Sequence, residues 1–473
     1  MTREVDVAII GAGSAGLYAL SQVRRATDNW VLIDGGELGT TCARVGCMPS
    51  KAIIQIADDF HRRQHFKREG IEGADQLRLD RAAVMERTQD LRDIFVDKVL
   101  SNSIDNMDEA HFVAENARLI APDTLEAGGE TFRAKAIVIA TGSHPRIPEA
   151  WMPFRDRILT TDEFFEQEDL PDRMAVIGLG VIGLELGQTL ARLGIETVGI
   201  DISRHIGGLR DPAVAERATE IIGRDFPLWL GEPAEITELP DGTLKVEAGD
   251  QETVVDKLLV AMGRVPNTAG LGLEHLGVPL DEFGVPHYDP HTMQVGDLPV
   301  FIAGDVNGVR PLLHEAGDEG RIAGYNAVHL DAIRRFERKV PLAITFSQPN
   351  IVSVGASLDE LQGTAIAIGE ANFGMLGRAI ILGENRGLLR VYADAEDGRL
   401  LGAAMCVPGG EHIGHLLAWS IEKGLTVSDL LAFPWYHPTL EEGLQAAIYD
   451  LKGKLGLEQR TPWPPELKPL LPE

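Results

Sequence analysis

The chain has 473 residues, enough for about three domains. Its 44 Lys+Arg against 72 Asp+Glu leave a formal net charge of −28, a field that repels phosphate backbones and anionic lipid and argues against a nucleic-acid or membrane-surface protein. No apolar run approaches the ~18–20 residues of a membrane span, the opening MTREVDVAIIGAG becomes strand-like by Val5 without a targeting segment, and three cysteines cannot build a secreted disulfide framework. A soluble, cytoplasmic, multidomain protein is expected. Its 51 glycines, about 11% against a usual ~7%, show no repeat of collagen or linker type and imply many close backbone approaches.

In chain order, Asp6–Ile10 reads as a strand, followed by Gly11-Ala12-Gly13-Ser14-Ala15-Gly16, a helix pattern, and a second strand Trp30–Ile33 ending at Asp34. This is the β–turn–α–β dinucleotide pattern: Gly11 for the tight turn, Gly13 for the approach of a pyrophosphate, Gly16 for helix–strand packing, and an acid after the second strand. A phosphate then sits at the helix N-terminus, where free N–H groups and the dipole favour an anion. The unit returns with strand Met174–Ile177, Gly178-Leu179-Gly180-Val181-Ile182-Gly183, a helix, and strand Thr197–Ile200 ending at Asp201. Both copies place the acid 23 residues after the first glycine. The bare glycine motif is weak evidence, expected by chance about 0.6 times at this glycine content, but the matched strands and acids point to two dinucleotide sites rather than to helix–strand packing alone.

Each copy closes on a strand and glycine turn, Ile137–Gly142 and Leu258–Gly263, as a duplicated fold would. Strand Val300–Ala303 ends at Gly304-Asp305, and a helix pattern runs over His314–Asn326. From about 342 the alternation changes: Ile344–Phe346, Ile351–Val354 and Leu388–Val391 suggest an antiparallel sheet with helices. The last 13 residues hold five prolines and read as an extended tail.

Two cysteines, Cys42 and Cys47, lie just after the first acid and just before a helix expected to begin near Pro49. As a structural disulfide the pair would constrain the unfolded chain by only roughly 2 kcal/mol, and no second Cys or His pair sits nearby at zinc spacing. A helix N-terminus lowers the pKa of Cys47 and favours its thiolate, which suits a redox-active pair. Cys406, in an apolar strand context, reads as a buried inert thiol. Asp201 accepts hydrogen bonds from a ribose 2′-hydroxyl and repels a 2′-phosphate, favouring NAD; Arg204 is the one nearby cation that could favour NADP.

Over nearly its whole length the chain resembles the flavin-dependent pyridine nucleotide–disulfide oxidoreductases. The resemblance rests on the first glycine loop, the Cys42-x4-Cys47-x-Pro49-Ser50-Lys51 box, Ala140-Thr141-Gly142, the second loop with Gly183-Leu184-Glu185, Gly263-Arg264, Gly304-Asp305-Val306, and His437-Pro438-Thr439-x-x-Glu442. It implies an α/β fold with two Rossmann-like FAD- and NAD-binding domains and a C-terminal α+β dimerisation domain. The boundaries expected are 1–148 for FAD, 149–272 for NAD, 273–341 returning to the FAD domain, 342–460 for the interface and 461–473 for the tail.

By that resemblance FAD is held by the first loop with Asp34 on the adenosine ribose, by Thr141 and Gly142, and by Asp305 on the flavin side. The second loop, with Asp201 and Gly263, takes the nicotinamide nucleotide. Lys51 and Glu185, otherwise surface helix charges, become an ion pair beside the flavin. His437, one of thirteen histidines, becomes a general base supplied by the partner subunit of a homodimer. Glu442 orients it, although Thr439-x-x-Glu442 also reads as a helix capping box. The nearest branch oxidises dihydrolipoamide, free or on the lipoyl domain of a 2-oxo acid dehydrogenase complex, with NAD as acceptor. The alternative is a reductase of another disulfide or of quinones. Two departures bear on the substrate: Ala43-Arg44 brings a cation between the cysteines, and Trp435-Tyr436 adds bulk before His437.

Overall fold

The computed structural model describes residues 2–457, 463–468 and 470; the tail positions 461, 462, 469 and 471–473 lie outside the described residues. The first sheet is built on strand Thr2–Ile10, parallel on one side to Trp30–Ile33 and then Phe112–Val113, and on the other to Glu130–Ile139. The carboxyl half of Glu130–Ile139 pairs in parallel with Val300–Ile302, while its amino half pairs antiparallel with Thr124–Ala127, which pairs with Arg118–Ala121. Ile9, Leu32, Ile33 and Val138 are fully buried. Continuous apolar runs of this kind mark strands covered on both faces.

Chain that passes Ile158–Leu159 forms the second sheet, all parallel: Leu228–Leu230, Glu196–Asp201, Arg173–Ile177, Lys257–Val260, Ile158–Leu159. A small antiparallel sheet, Glu235–Glu238, Leu244–Ala248 and Gln251–Val255, lies beside it. A two-stranded ribbon of Ser143–Pro145 and Arg264–Pro266 joins the chain ends that leave the two sheets.

The third sheet is antiparallel, in the order Leu342–Thr345, Asn350–Gly355, Leu400–Val407, Leu388–Asp394, Ile366–Asn372. Helix Glu442–Lys454 lies close on it because glycines permit the approach. A Cβ on Gly369 would stand 2.3 Å from the Ala447 carbonyl, and one on Gly443 would stand 2.3 Å from the buried Phe373 ring. That contact fixes the start of the helix and with it Glu442.

Two expectations are corrected. The cysteine helix is Cys47–His61, so Pro49 is its third residue rather than its first; its missing N–H falls among the four that have no partner within the helix, so it is tolerated there. In the tail, the described residues are not simply extended. The Leu467 N–H donates to the Pro464 carbonyl, Glu466 pairs with Lys452 at 2.7 Å, and Pro465 is buried. No helix among the described residues is long and apolar enough to cross a membrane.

Candidate active site

Chain leaving strand Trp30–Ile33 turns sharply at Gly39 (φ 113°) and Thr40 (φ 65°), enters the short helix Thr41–Arg44, and restarts as Cys47–His61 after Gly46. The Thr40 hydroxyl accepts from the Ala43 N–H at 3.3 Å, tying the strained residue to the turn that carries Cys42. Cys42 and Cys47 are present as thiols in hydrogen-bonding contact. The contact divides them. Its hydrogen bond to Cys47, with burial, raises the pKa of Cys42. The same bond, together with Lys51 and the helix backbone, lowers Cys47, which is exposed where Cys42 is half-buried, to about 7. The neighbouring sulfur outweighs the helix N-terminus here, an effect that local sequence does not reveal. Arg44 does not stand free between the thiols: its guanidinium pairs with Glu37.

One turn into the cysteine helix, Lys51 Nζ donates to Glu185 Oε2 at 2.8 Å. Glu185 lies on helix Val181–Arg192 and is only 4% exposed; its Oε1 accepts from the Phe346 N–H at 2.8 Å, and Lys51 Nζ sits 4.6 Å from the centre of the Phe346 ring. A buried carboxylate is tolerated because both oxygens are satisfied, one by a cation. Three segments distant in sequence meet here beside the thiols. A second buried junction, Arg192 with Asp58 and with Asp225 (2.8 Å), locks the same two helices together.

The two glycine loops share their local geometry. A Cβ on Gly11 would lie 2.3 Å from the Ala140 carbonyl, and one on Gly178 would lie 2.5 Å from that of Ala261; both glycines have positive φ. Gly16 and Gly183 face the carbonyls of Gly11 and Gly178 at 1.9 and 1.8 Å from an added Cβ, where no side chain fits. Gly13 and Gly180 differ in kind: no atom lies within 4 Å of an added Cβ. Each caps its helix, Ser14–Val23 or Val181–Arg192, without a side-chain hydrogen bond, leaving N–H groups facing open space. Two such cradles fit the pyrophosphates of FAD and of a nicotinamide dinucleotide.

The acids do more than sequence reasoning assigned. Asp34 accepts from the Ala12 N–H (2.6 Å) and the Gly36 N–H (2.8 Å); Asp201 accepts from the Leu179 N–H (2.6 Å) and the Ser203 N–H (2.7 Å). Each carboxylate thus staples its glycine loop to the turn after the second strand. A carboxylate has about four lone-pair sites, so acceptor capacity for a ribose hydroxyl remains.

Where the two sheets join, Thr141 and Asn267 exchange hydrogen bonds at 2.8 Å each, and the Gly142 carbonyl accepts from the Asn267 N–H at 2.9 Å. Arg264, next to the open Gly263, donates to Ser143 Oγ at 2.8 Å, and that hydroxyl donates to Asp305 at 3.3 Å. Burial pushes the Asp305 carboxyl up, opposed by Arg264. Gly304, before it, is fixed by its N–H donating to Glu319 at 2.8 Å; Arg338 pairs with Glu319 at 2.8 Å and with Glu315 at 2.6 Å. Helix Leu313–Ala327 sits tightly on Ser14–Val23, for a Cβ on Gly320 or Gly324 would lie 2.2 or 2.3 Å from the carbonyls of Ala15 or Ala19. Sequence reasoning passed over Ser143, Asn267, Phe346, Glu319 and Arg338. The Gly317, Gly320, Gly324 spacing in a helix pattern was the one local signal of this packing.

At the far end of the chain, the His437 ring Nδ1 and Glu442 Oε1 are 2.8 Å apart, and this bond holds the Glu442 carboxyl below its ordinary range. Glu442 Oε2 accepts from the Thr439 N–H at 3.1 Å, but the Thr439 hydroxyl donates to the Tyr436 carbonyl instead of capping the helix. Only half of the capping box forms, and the helix begins at Glu442 itself. The His437 side chain is 78% exposed, with its Nε2 face open on the surface of the third sheet's domain. Cys406 is fully buried and burial pushes its thiol up to about 12.

Comparison with known proteins agrees with this arrangement. The pyridine nucleotide-disulphide oxidoreductase family matches residues 5–320, and its dimerisation domain matches residues 341–448. A dihydrolipoyl dehydrogenase of Thermus scotoductus is 33% identical over 94% of this chain and 97% of its own length. One from Haloarcula marismortui is 30% identical over 96% and 98%. Among solved structures, the HOCl-induced flavoprotein disulfide reductase RclA from Escherichia coli, as its Cu(II) complex, superposes with a TM-score of 0.81 at 21% identity, over 94% of this chain and 99% of that one. The chain belongs to the pyridine nucleotide-disulphide oxidoreductase family, whose members bind FAD and NAD(P)H.

Proposed function

We propose that the chain is a dihydrolipoyl dehydrogenase: it oxidises dihydrolipoamide, free or carried on a lipoyl domain of a 2-oxo acid dehydrogenase complex, to the cyclic disulfide, with NAD⁺ as acceptor. The observation that carries this reading is the meeting of the two neighbouring thiols with Lys51, held at 2.8 Å by the buried Glu185, which sets a cation beside Cys47 and lowers its pKa while that of Cys42 is raised. Relatives at 30–33% identity from end to end support it.

Gly11, Gly13, Gly16, Asp34, Thr141, Gly142 and Asp305 would hold FAD; Gly178, Gly180, Gly183, Asp201 and Gly263 would hold the nucleotide. When bound, FAD supplies the two-electron relay between dithiol and nicotinamide. The chain's own residues do the thiol chemistry. In the oxidised enzyme Cys42 and Cys47 form a disulfide. His437 Nε2 takes the proton of a substrate thiol while Glu442, bonded to Nδ1, holds the ring and stabilises its cation. The substrate thiolate attacks Cys42 Sγ; a mixed disulfide forms, the Cys42–Cys47 bond breaks, and Cys47 leaves as the thiolate favoured by Lys51. The second substrate thiol then attacks the sulfur bound to Cys42, closing oxidised lipoamide; the Cys42–substrate bond breaks and the departing Cys42 sulfur, whose pKa is raised, takes up that thiol's proton. Lys51, fixed by Glu185, keeps a positive charge beside Cys47. His437 is exposed on the domain that matches the dimerisation family, so the site is completed when a second copy brings that surface to the cysteines.

The test is a turnover panel with NAD⁺ or NADP⁺ and dihydrolipoamide, and with NAD(P)H and glutathione disulfide or quinones. Dihydrolipoamide is expected to be the best substrate. Cys42→Ser should abolish its oxidation and leave quinone reduction intact, and His437→Gln should slow it about 10²-fold. Undiminished dihydrolipoamide turnover in Cys42→Ser would overturn the reading in favour of a quinone reductase.

A further inference from the structure

Helix Leu313–Ala327 carries two carboxylates one turn apart, Glu315 and Glu319, and buries both: they are 5% and 1% exposed. Like charges at this spacing repel, and a buried carboxylate needs a cation. That cation comes from the segment that leaves the helix for the third sheet, which runs back along it as Arg334-Arg335-Phe336-Glu337-Arg338-Lys339, a basic strap against acidic residues. Arg335 pairs with Asp289, Lys339 with Asp318 at 2.8 Å, and the Val340 N–H donates at 2.8 Å to Glu422 on helix Gly410–Glu422.

Arg338 is the member of the strap that reaches between the buried acids. Its Nη2 stands 2.6 Å from Glu315 Oε2 and 2.8 Å from Glu319 Oε1. Glu315 has a second cation, Arg310, at 3.1 Å; among the described residues Glu319 has Arg338 alone. The other oxygen of Glu319 accepts from the Gly304 N–H at 2.8 Å and from Asn307 Nδ2 at 2.7 Å. Gly304 and Asn307 bracket the short helical turn Asp305–Asn307, so one carboxylate oxygen holds both ends of the segment that presents Asp305.

We propose that Arg338 is a positioning residue for the flavin: by keeping Glu319 ionised it fixes the turn from Gly304 to Asn307, and with it the Asp305 carboxylate, in the orientation that meets the cofactor. This rests on the reading of Asp305 as the acid on the flavin side. Hydrogen bonds to an ionised acceptor are about twice as strong as those to a neutral one. Burial pushes the Glu319 carboxyl up, against the pull of the Gly304 N–H and of Arg338. With the guanidinium gone a proton takes its place, and the neutral acid holds the two donors more weakly. The strap thereby ties the flavin turn to the segment that carries the third domain.

Dilution of the flavin-loaded enzyme, with released FAD read by its fluorescence, tests this without turnover by giving a dissociation constant. Arg338→Met, which keeps the stem and drops the charge, should raise that constant about tenfold or more, and Arg338→Lys should raise it less. The charge argument is isolated by combining Arg338→Met with Glu319→Gln. The amide needs no cation, its oxygen still accepts from Gly304 and Asn307, and Glu315 keeps Arg310, so affinity should return to within about threefold of the parent. A purely structural loss of Arg338 would not be rescued by a second substitution in the same core. FAD held by Arg338→Met as tightly as by the parent, or a double variant no tighter than Arg338→Met, would overturn the positioning role and leave the flavin site standing. Should Arg338→Met not fold, the double variant decides alone, by matching the parent or failing to. A parent protein that binds no FAD would overturn the role of Arg338 together with that of Asp305.

Discussion

The first and second glycine loops are one piece of architecture put to two uses. The tight glycines, Gly11 with Gly16 and Gly178 with Gly183, meet the same carbonyls at matching distances, and Asp34 and Asp201 staple the loops alike. What differs lies outside this frame. After its acid the first copy runs on through Glu37 into the cysteine box, while the second runs through Arg204 back into a helix that starts at Pro212. The shared part answers to backbone sterics, and the chemistry is attached where sterics no longer dictate the residue.

The sharpest way to break this comparison is to fill the glycines. Gly16→Ala and Gly183→Ala each force a Cβ to within 2 Å of a backbone carbonyl oxygen, and overpacking of this kind costs about 1–3 kcal/mol or more. The first variant should purify without flavin. The second should keep its flavin absorbance and lose reduction by nicotinamide nucleotides. Gly13→Ala and Gly180→Ala meet no protein atom, so their thermal midpoints should match the parent, with ligand binding weakened in the affected loop only. If these two variants unfold early, their glycines serve the fold and not the ligand.

Removing the staples should have a smaller effect. Asp34→Ala and Asp201→Ala each leave a loop N–H without its acceptor, a loss of about 1–3 kcal/mol, measured as a lower urea midpoint for the domain concerned. Equal losses in the two variants would confirm that the acids are structural equivalents, and a much smaller loss in one would break the parallel.

Smallest is the titration that marks the first copy alone. Cys47, lowered to about 7, should be alkylated by iodoacetamide with a rate that rises as pH passes through about 7, against about 8.5 for an ordinary thiol. The sign follows from the thiolate being the nucleophile: below that pH the thiol predominates and the reaction slows. Cys42→Ala removes the hydrogen bond that contributes most to the shift, so the midpoint should move up. A midpoint unchanged in Cys42→Ala would assign the effect to Lys51 and the helix instead.

The strands Trp30–Ile33 and Arg173–Ile177, the helix Leu313–Ala327 and the spacing of glycine to acid were legible in the residues, because β-turn-α sterics act within about 25 positions and leave periodic marks. The cysteine pair was legible as redox chemistry, and its asymmetry as a helix-end effect of smaller weight than the sulfur–sulfur contact proved to have. Tertiary structure alone decided the rest. Lys51 and Glu185 are 134 residues apart and read as surface charges until the packing of two helices buries the carboxylate and Phe346 caps it. Arg44 read as a cation at the thiols until the turn at Thr40 brought Glu37 to it. Arg204 read as the one cation near the second acid, and only the sheet laid Gly231 under its stem. Pairings of this kind carry no local period. They depend on which surfaces the folded domains bring together, and side-chain chemistry settles them only after burial has set the cost of leaving a charge alone.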